Sequence, residues 1–204
     1  MVTLDELNAQ IAICVKCDIA RLRTRTVPGE GNPKAEIMFI GEAPGFNEDQ
    51  QGRPFVGQAG QFLDHLLTSI ELDRTKVFIA NVIKCRPPSN RDPLPTEIQN
   101  CDPWLEQQIE TINPRMIVTL GRYSMQKFFP GKTISRIHGT AVNRNGRLYF
   151  AMYHPAAALH QRSLQAAIEE DMRKIPQVLA AALPPTEEEK PKPPEAQQLN
   201  LFGD

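Results

Sequence analysis

The chain is 204 residues long, 41% hydrophobic and 23% charged, with a formal net charge of −1. That length carries one domain, or one domain with a tail, and enough core to fold alone. No apolar run approaches a membrane span and no signal-type segment opens the chain, so a cytoplasmic protein with no membrane partner is expected. The near-zero charge hides an acidic end: residues 186–204 hold five acids and two lysines, leaving 21 basic and 19 acidic residues elsewhere.

In chain order, residues 3–13 (TLDELNAQIAI) read as an amphipathic helix, with Thr3 as cap and Glu6 three residues on. Cys14 and Cys17 follow as a Cys-x-x-Cys pair. Residues 36–41 read as a buried strand that runs into IGEAPGFNEDQQGRPFVGQAG at 40–60, where five glycines crowd a loop. Such a loop usually cradles phosphate, but this one has no Lys or Ser/Thr in the phosphate-loop positions. Phe62, Leu63, Leu66, Leu67 and Ile70 then stand at helical spacing over 58–70. Residues 77–83 (VFIANVI) give a second strand. Residues 95–112 give a helix in which Pro103 predicts a break or restart. RMIVTL at 115–120 is a third strand ended by Gly121, and RYSMQKFF a short helix. Residues 139–154 read as a hairpin turning at Asn145-Gly146. Residues 156–183 are mostly helical, kinked at Pro176. Strands alternating with helices predict an α/β layered fold with a mostly parallel central sheet. In such sheets ligands bind beyond the carboxyl ends of the strands. The buried strands end in GEAPG, NVIKC and LGR, and the hairpin in Tyr153-His154-Pro155, so these ends are expected to share one crevice.

The domain is therefore expected over 1–183. Residues 184–204 begin with proline and charge and are expected to be disordered, before turning apolar in QLNLFGD. Cys85 and Cys101 complete a set of four cysteines with Cys14 and Cys17. Four thiolates suit zinc or an iron–sulfur cluster equally by spacing alone. Either would pin the N-terminal helix and the 86–100 loop onto the sheet edge.

GEAPG at 41–45, GRPFVG at 52–57, NVIKCRPPSNRDP at 81–93 and HPAA at 154–157, together with the four cysteines, resemble the family 4 uracil-DNA glycosylases. The resemblance runs from about Leu4 to about Leu183. It implies a three-layer α/β/α sandwich and a 4Fe–4S cluster on Cys14, Cys17, Cys85 and Cys101, with zinc now the lesser alternative. It also implies hydrolytic excision of uracil from single- or double-stranded DNA, leaving an abasic site for base excision repair. A related branch that traps uracil DNA covalently carries GEQPG and a histidine-bearing basic insertion. Ala43 and CRPPSNRDP stand here instead, so turnover is expected.

On that reading Gly41 and Ala43 let the backbone approach a flipped base, and Phe55 stacks on it from a surface loop. Asn81 offers an acceptor and donors that match the N–H and carbonyl of uracil and mismatch cytosine. His154 donates to the uracil carbonyl beside the breaking bond. Superfamily branches that position water with an Asp or Asn in the first loop have no counterpart at Ala43 or Pro44, which leaves Glu42 first and Glu48 second for the sugar side. Glu48 is alternatively the wall that excludes the thymine methyl, and Asp49 reads as a solvated charge. Lys84, Arg86, Arg91, Arg122, Lys132, Arg136 and His138 are candidate DNA contacts on the rim. Gln198, Leu199, Leu201 and Phe202 resemble the peptide by which bacterial proteins dock on the replication sliding clamp. A nucleoid-associated monomer would follow. The rival reading is a non-catalytic, metal-pinned module that binds DNA or senses redox state.

Overall fold

The structure, a computed structural model, describes residues 2–182. The expectations for residues 184–204, including the Gln198–Phe202 peptide, lie outside the described residues. Six strands form one sheet in the order β1-β3-β2-β4-β6-β5. They are β1 (Glu30–Gly31), β2 (Ile37–Gly41), β3 (Phe78–Asn81), β4 (Met116–Leu120), β5 (Thr140–Arg144) and β6 (Arg147–Met152). The four central strands, β3, β2, β4 and β6, run parallel, and the two edge strands run antiparallel to their neighbours.

Side chains alternate along each buried strand, so each strand feeds two cores. From β2, Met38 and Ile40 enter one core and Ile37 and Phe39 the other; from β3, Phe78 and Ala80 separate in the same way from Ile79 and from Val77 just before the strand. The first core is covered by α1 (Leu4–Ala12), α4 (Pro95–Ile112) and α5 (Arg122–Phe128), the second by α3 (Gln58–Ser69), α7 (Pro155–His160) and α8 (Ser163–Ala181). This is the three-layer α/β/α sandwich. Among the described residues no helix is long and apolar enough to cross a membrane.

Thr3 and Glu6 cap α1 reciprocally, as the spacing predicts. In the hairpin Arg144 pairs with Arg147, and Asn145 and Gly146 turn it with φ of 52° and 80°, the mirror-image turn that two-residue hairpins favour. Three expectations need correction. Pro103 does not break α4, which runs unbroken from Pro95 to Ile112; the lost amide bond costs one rung, and Trp104, Leu105 and Ile109 bury the same face on either side. The glycine-rich stretch is not all loop, since it encloses a short helix, α2 (Phe46–Gln51), closed by Gly52 at φ 71°. The second strand stops at Asn81, although Val82 and Ile83 still donate to the carbonyls of Gly41 and Glu42. The remaining short helix, α6 (Ile134–Ile137), leads into the hairpin.

Candidate active site

The carboxyl ends of the parallel strands lie along one edge of the sheet. Gly41 at the end of β2 pairs in register with Asn81 at the end of β3, and the backbones stay bonded past that pair. Gly41 has no side chain for a reason of space. A Cβ there would sit 2.4 Å from Asn81 Oδ1 and 2.6 Å from Phe55 Cζ. The glycine therefore lets an amide and an aromatic ring meet over the strand end. Asn81 is 2% exposed, and its Oδ1 has no hydrogen-bond partner. An unpartnered buried carbonyl is costly and uncommon. Here it lines a cleft of about 580 Å³ shared with Glu42, Ala43, Glu48, Phe55 and His154.

Phe55 is 5% exposed, more buried than a surface loop residue, and packs on the second core while its ring also lines the cleft. Its backbone has φ 54°, an outlier for an aromatic residue that the surroundings must enforce. Arg74 does so: its guanidinium donates to the carbonyls of Pro54 and Phe55 and is itself anchored by Glu30 and Asp64. Glu48 holds the other side. One carboxylate oxygen accepts from the amides of Val56 and Gly57 at 2.9 and 3.0 Å, and the other accepts from Gly45 at 3.1 Å, where Glu48 also caps α2. Glu48 thus staples the two glycine-bounded loops together at the cleft wall. Asp49 is not a solvated charge; it is 3% exposed and accepts from the amides of Thr24 and Arg25, tying α2 to the preceding segment.

His154 follows β6 and caps α7. Its Nδ1 accepts from the amide of Ala156 at 3.1 Å, which leaves the ring proton on Nε2. Its ring stacks on Phe55 with centroids 5.5 Å apart. Gly121, at φ +92°, gives it room, since a Cβ there would lie 3.0 Å from His154 Cβ. Burial pushes the imidazole down to about 4, against a smaller upward pull from Glu48, so it is neutral at physiological pH. Glu42 lies half-buried in the same cleft. Burial first, and the Asp92 carboxylate second, push its carboxyl up to about 7 against the opposing Arg122 guanidinium. A neutral donor and a carboxyl poised near neutrality face one cavity.

The rim differs from the sequence expectation in one place. Lys84 cannot reach DNA: it is 1% exposed, and its Nζ donates to the Asn81 carbonyl at 2.8 Å and to Gln108 Oε1 at 2.6 Å. The two partners are drawn from β3 and α4, and no periodicity reveals that. Arg86 donates to Asn90, Arg91 forms a forked pair with Glu97, and Arg122 pairs with Asp92 at the mouth. Lys132 and Arg136 are exposed. His138 bonds the buried Asp171 at 2.7 Å and packs on Tyr153, the neighbour of His154. Asn90, Asp92 and His160 also line the cleft and were not singled out from sequence; for the first two, their place in the PPSNRDP loop beside Cys85 was the available signal.

The four cysteines line one pocket between α1, the end of β3 and α4. Three of their sulfurs receive N–H donors: Cys14 from Trp104 at 3.3 Å, Cys85 from Arg23 at 3.4 Å and Cys101 from the Lys84 amide at 3.2 Å. Donors aimed at sulfur suit thiolates that ligate a metal or cluster. No three Cys, His, Asp or Glu side chains among the described residues converge where a single ion would sit.

Residues 28–179 match the model of the uracil DNA glycosylase superfamily. The chain is 47% identical to a type-4 uracil-DNA glycosylase of Archaeoglobus fulgidus over 184 residues, covering 86% of this chain and 92% of that protein. It is 46% identical to the type-4 uracil-DNA glycosylase of Sulfurisphaera tokodaii, covering 86% and 84%, and 40% identical to that of Thermotoga maritima, covering 85% and 95%. Matches of that extent, over a sheet whose strand ends carry Gly41, Asn81 and His154, place the chain in the type-4 uracil-DNA glycosylases.

Proposed function

We infer that this protein is a uracil-DNA glycosylase, which takes deaminated uracil out of DNA and hydrolyses its N-glycosidic bond. The observation that carries the reading is the unpartnered Asn81 Oδ1, buried in a cleft that also presents the neutral His154. A base that supplies an N–H to Oδ1 and a carbonyl to Nδ2 satisfies that amide; cytosine presents the opposite pattern and leaves it unpaired. The target base must leave the stack to reach this depth. Phe55, clamped by Arg74, offers it an aromatic face, and the stapled Gly45 and Glu48 wall bounds the pocket.

Cleavage of the bond between C1′ and the base nitrogen sends the electron pair to the base and leaves a cationic sugar. His154 Nε2–H donates to the carbonyl on which negative charge collects; being neutral already, it stabilises the anion without surrendering a proton. Glu42, once ionised, faces the developing cation, orients the water that attacks C1′ and accepts the proton that this water gives up. Glu48 serves the site through the loops it holds, because both its oxygens already accept backbone amides. Arg86, Arg91, Arg122, Lys132, Arg136 and His138 supply the contacts to the DNA backbone, single- or double-stranded.

Cys14, Cys17, Cys85 and Cys101 would hold a 4Fe–4S cluster, which contributes folding free energy rather than a chemical step. The resemblance to the family 4 glycosylases favours the cluster over zinc, and the N–H donors on three sulfurs suit ligating thiolates of either kind. A cytoplasmic, nucleoid-associated monomer, docked on the sliding clamp through Gln198–Phe202, completes the reading. The deciding experiment mixes the purified protein with a labelled oligonucleotide carrying one uracil, then applies alkali. Scission at uracil and not at thymine in a control strand is expected; intact strands from folded, iron-loaded protein would move the function to DNA binding or redox sensing.

A further inference from the structure

Phe46 is the first residue of α2, next to the cleft residue Gly45, and it is 55% exposed. It makes no contribution to either core. Yet the ring is held. The Arg86 guanidinium lies over it, 5.1 Å from the centroid, and Arg86 Nε donates to Asn90 Oδ1 at 2.6 Å. Asn90 itself lines the cleft. Side chains from α2 and from the loop after β3 therefore build a shelf on the lip of the cleft, an aromatic face with a cation beside it. Arginine stacks on aromatic rings and neutralises phosphate with one group, and this is the pairing that single-stranded nucleic acid favours.

Resting on the uracil reading, the geometry of the strand decides what meets this shelf. A uracil in the cleft stays joined by phosphodiesters to the nucleotides on either side, so a flanking nucleotide must cross the lip. We propose that Phe46, oriented by Arg86, is a second nucleobase subsite that stacks on a base flanking the uracil, while Arg86 meets the intervening phosphate. The subsite accepts any of the four bases, because each has a π face. It favours single-stranded over duplex substrate, because a flanking base in a duplex already has stacking partners to lose.

The test uses the full chain and a single-stranded oligonucleotide with one abasic position, flanked on its 5′ or its 3′ side by 2-aminopurine. Binding is expected to quench the fluorophore on one side. Phe46→Ala removes the quench, Phe46→Tyr keeps it, and Phe46→Leu, which retains apolar volume without a π face, removes it. On the matching uracil strand, Phe46→Ala raises KM about tenfold, equivalent to about 1.4 kcal/mol. That penalty disappears when the flanking base is itself deleted. Equal quenching and equal KM in wild type, Phe46→Ala and Phe46→Leu would overturn the subsite. The fluorescence arm contains no scissile uracil, so failure of the protein to release uracil sinks the glycosylase reading and leaves the shelf separately measured.

Discussion

On the proposed mechanism His154 works uncharged. With its imidazole down at about 4 and Nδ1 occupied by the Ala156 amide, Nε2–H is available throughout the neutral range. His154→Ala should lower kcat about 10²–10³-fold, the 2.7–4 kcal/mol range for one lost oxyanion donor, with binding to an abasic strand retained. Single-turnover uracil release and anisotropy measure the two separately; a variant that cuts like wild type removes the assignment. On the proposed mechanism the acid limb of the rate is expected to follow Glu42, whose carboxyl stands near 7. The rate should fall about tenfold per pH unit below that value, and Glu42→Gln should be slow and flat over the same range. The same shift has a stability sign. A carboxyl raised from 4.5 to about 7 is content when protonated and costs stability as pH rises through 7. Glu42→Gln is therefore expected to melt higher than wild type at about pH 8 and equally at about pH 4, by calorimetry. That Glu42, Asn81 and His154 share a cleft was legible in the sequence, because each sits at or just past the carboxyl end of a strand. The environments of Asp49 and Lys84 were not, because Thr24 and Gln108, the groups that satisfy them, come from distant parts of the chain.

The loops between β2 and α3 form a clamp whose parts are individually unremarkable in sequence. Gly41→Ala tests it. The new methyl would fall 2.4 Å from Asn81 Oδ1 and 2.6 Å from the Phe55 ring, so either the amide or the ring must move. Misplacing a binding group by about 1 Å costs on the order of 10² in rate, and overpacking costs about 1–3 kcal/mol of stability. The prediction is a fall of at least about 10² in kcat/KM in a protein that still unfolds cooperatively, read by kinetics and urea titration. Near-wild-type turnover would mean that the strand ends separate freely. Arg74 completes the clamp from the turn between α3 and β3 and was invisible beforehand: nothing in LDRTK announces that its guanidinium will hold Phe55 in a positive-φ conformation. Elements with strong periodicity or a local signature, such as β2, β4, α3 and the Asn145-Gly146 hairpin, were legible. Helix α2 was not, because five glycines in twenty residues outweigh a six-residue helix that depends on Glu48 for its cap.

At the scale of the whole molecule, hydrogen bonds join the cysteine pocket to the end of β3 that carries Asn81. Lys84 gives its amide to Cys101 Sγ and its ammonium to the Asn81 carbonyl, and Gln108, beside it on α4, reaches on to the Pro28 carbonyl. Cys85 is the next residue, so the short backbone segment from Asn81 to Cys85 joins the cleft to the cysteine pocket. The sequence announces four cysteines but not this route, which runs through one buried lysine. Removing the proposed cluster should therefore do two things at once. Cys85 and Cys101 are buried and Cys14 and Cys17 half-buried, so loss of the proposed cluster from among them would cost folding free energy, and chelation of iron should lower the melting temperature. Uracil release should fall in step, because Asn81 loses its support from Lys84. Three readouts taken on the same samples check this: bound iron with its brown absorbance, the thermal transition, and uracil release per mole of protein. Parallel loss of all three is the expected outcome. A colourless protein carrying zinc would refute the cluster but keep the structural role. Iron-free protein that melts and cuts like the loaded form would disconnect the cysteine pocket from the active site. Lys84→Met separates the link from the metal: it should keep the absorbance and lose discrimination of uracil from cytosine.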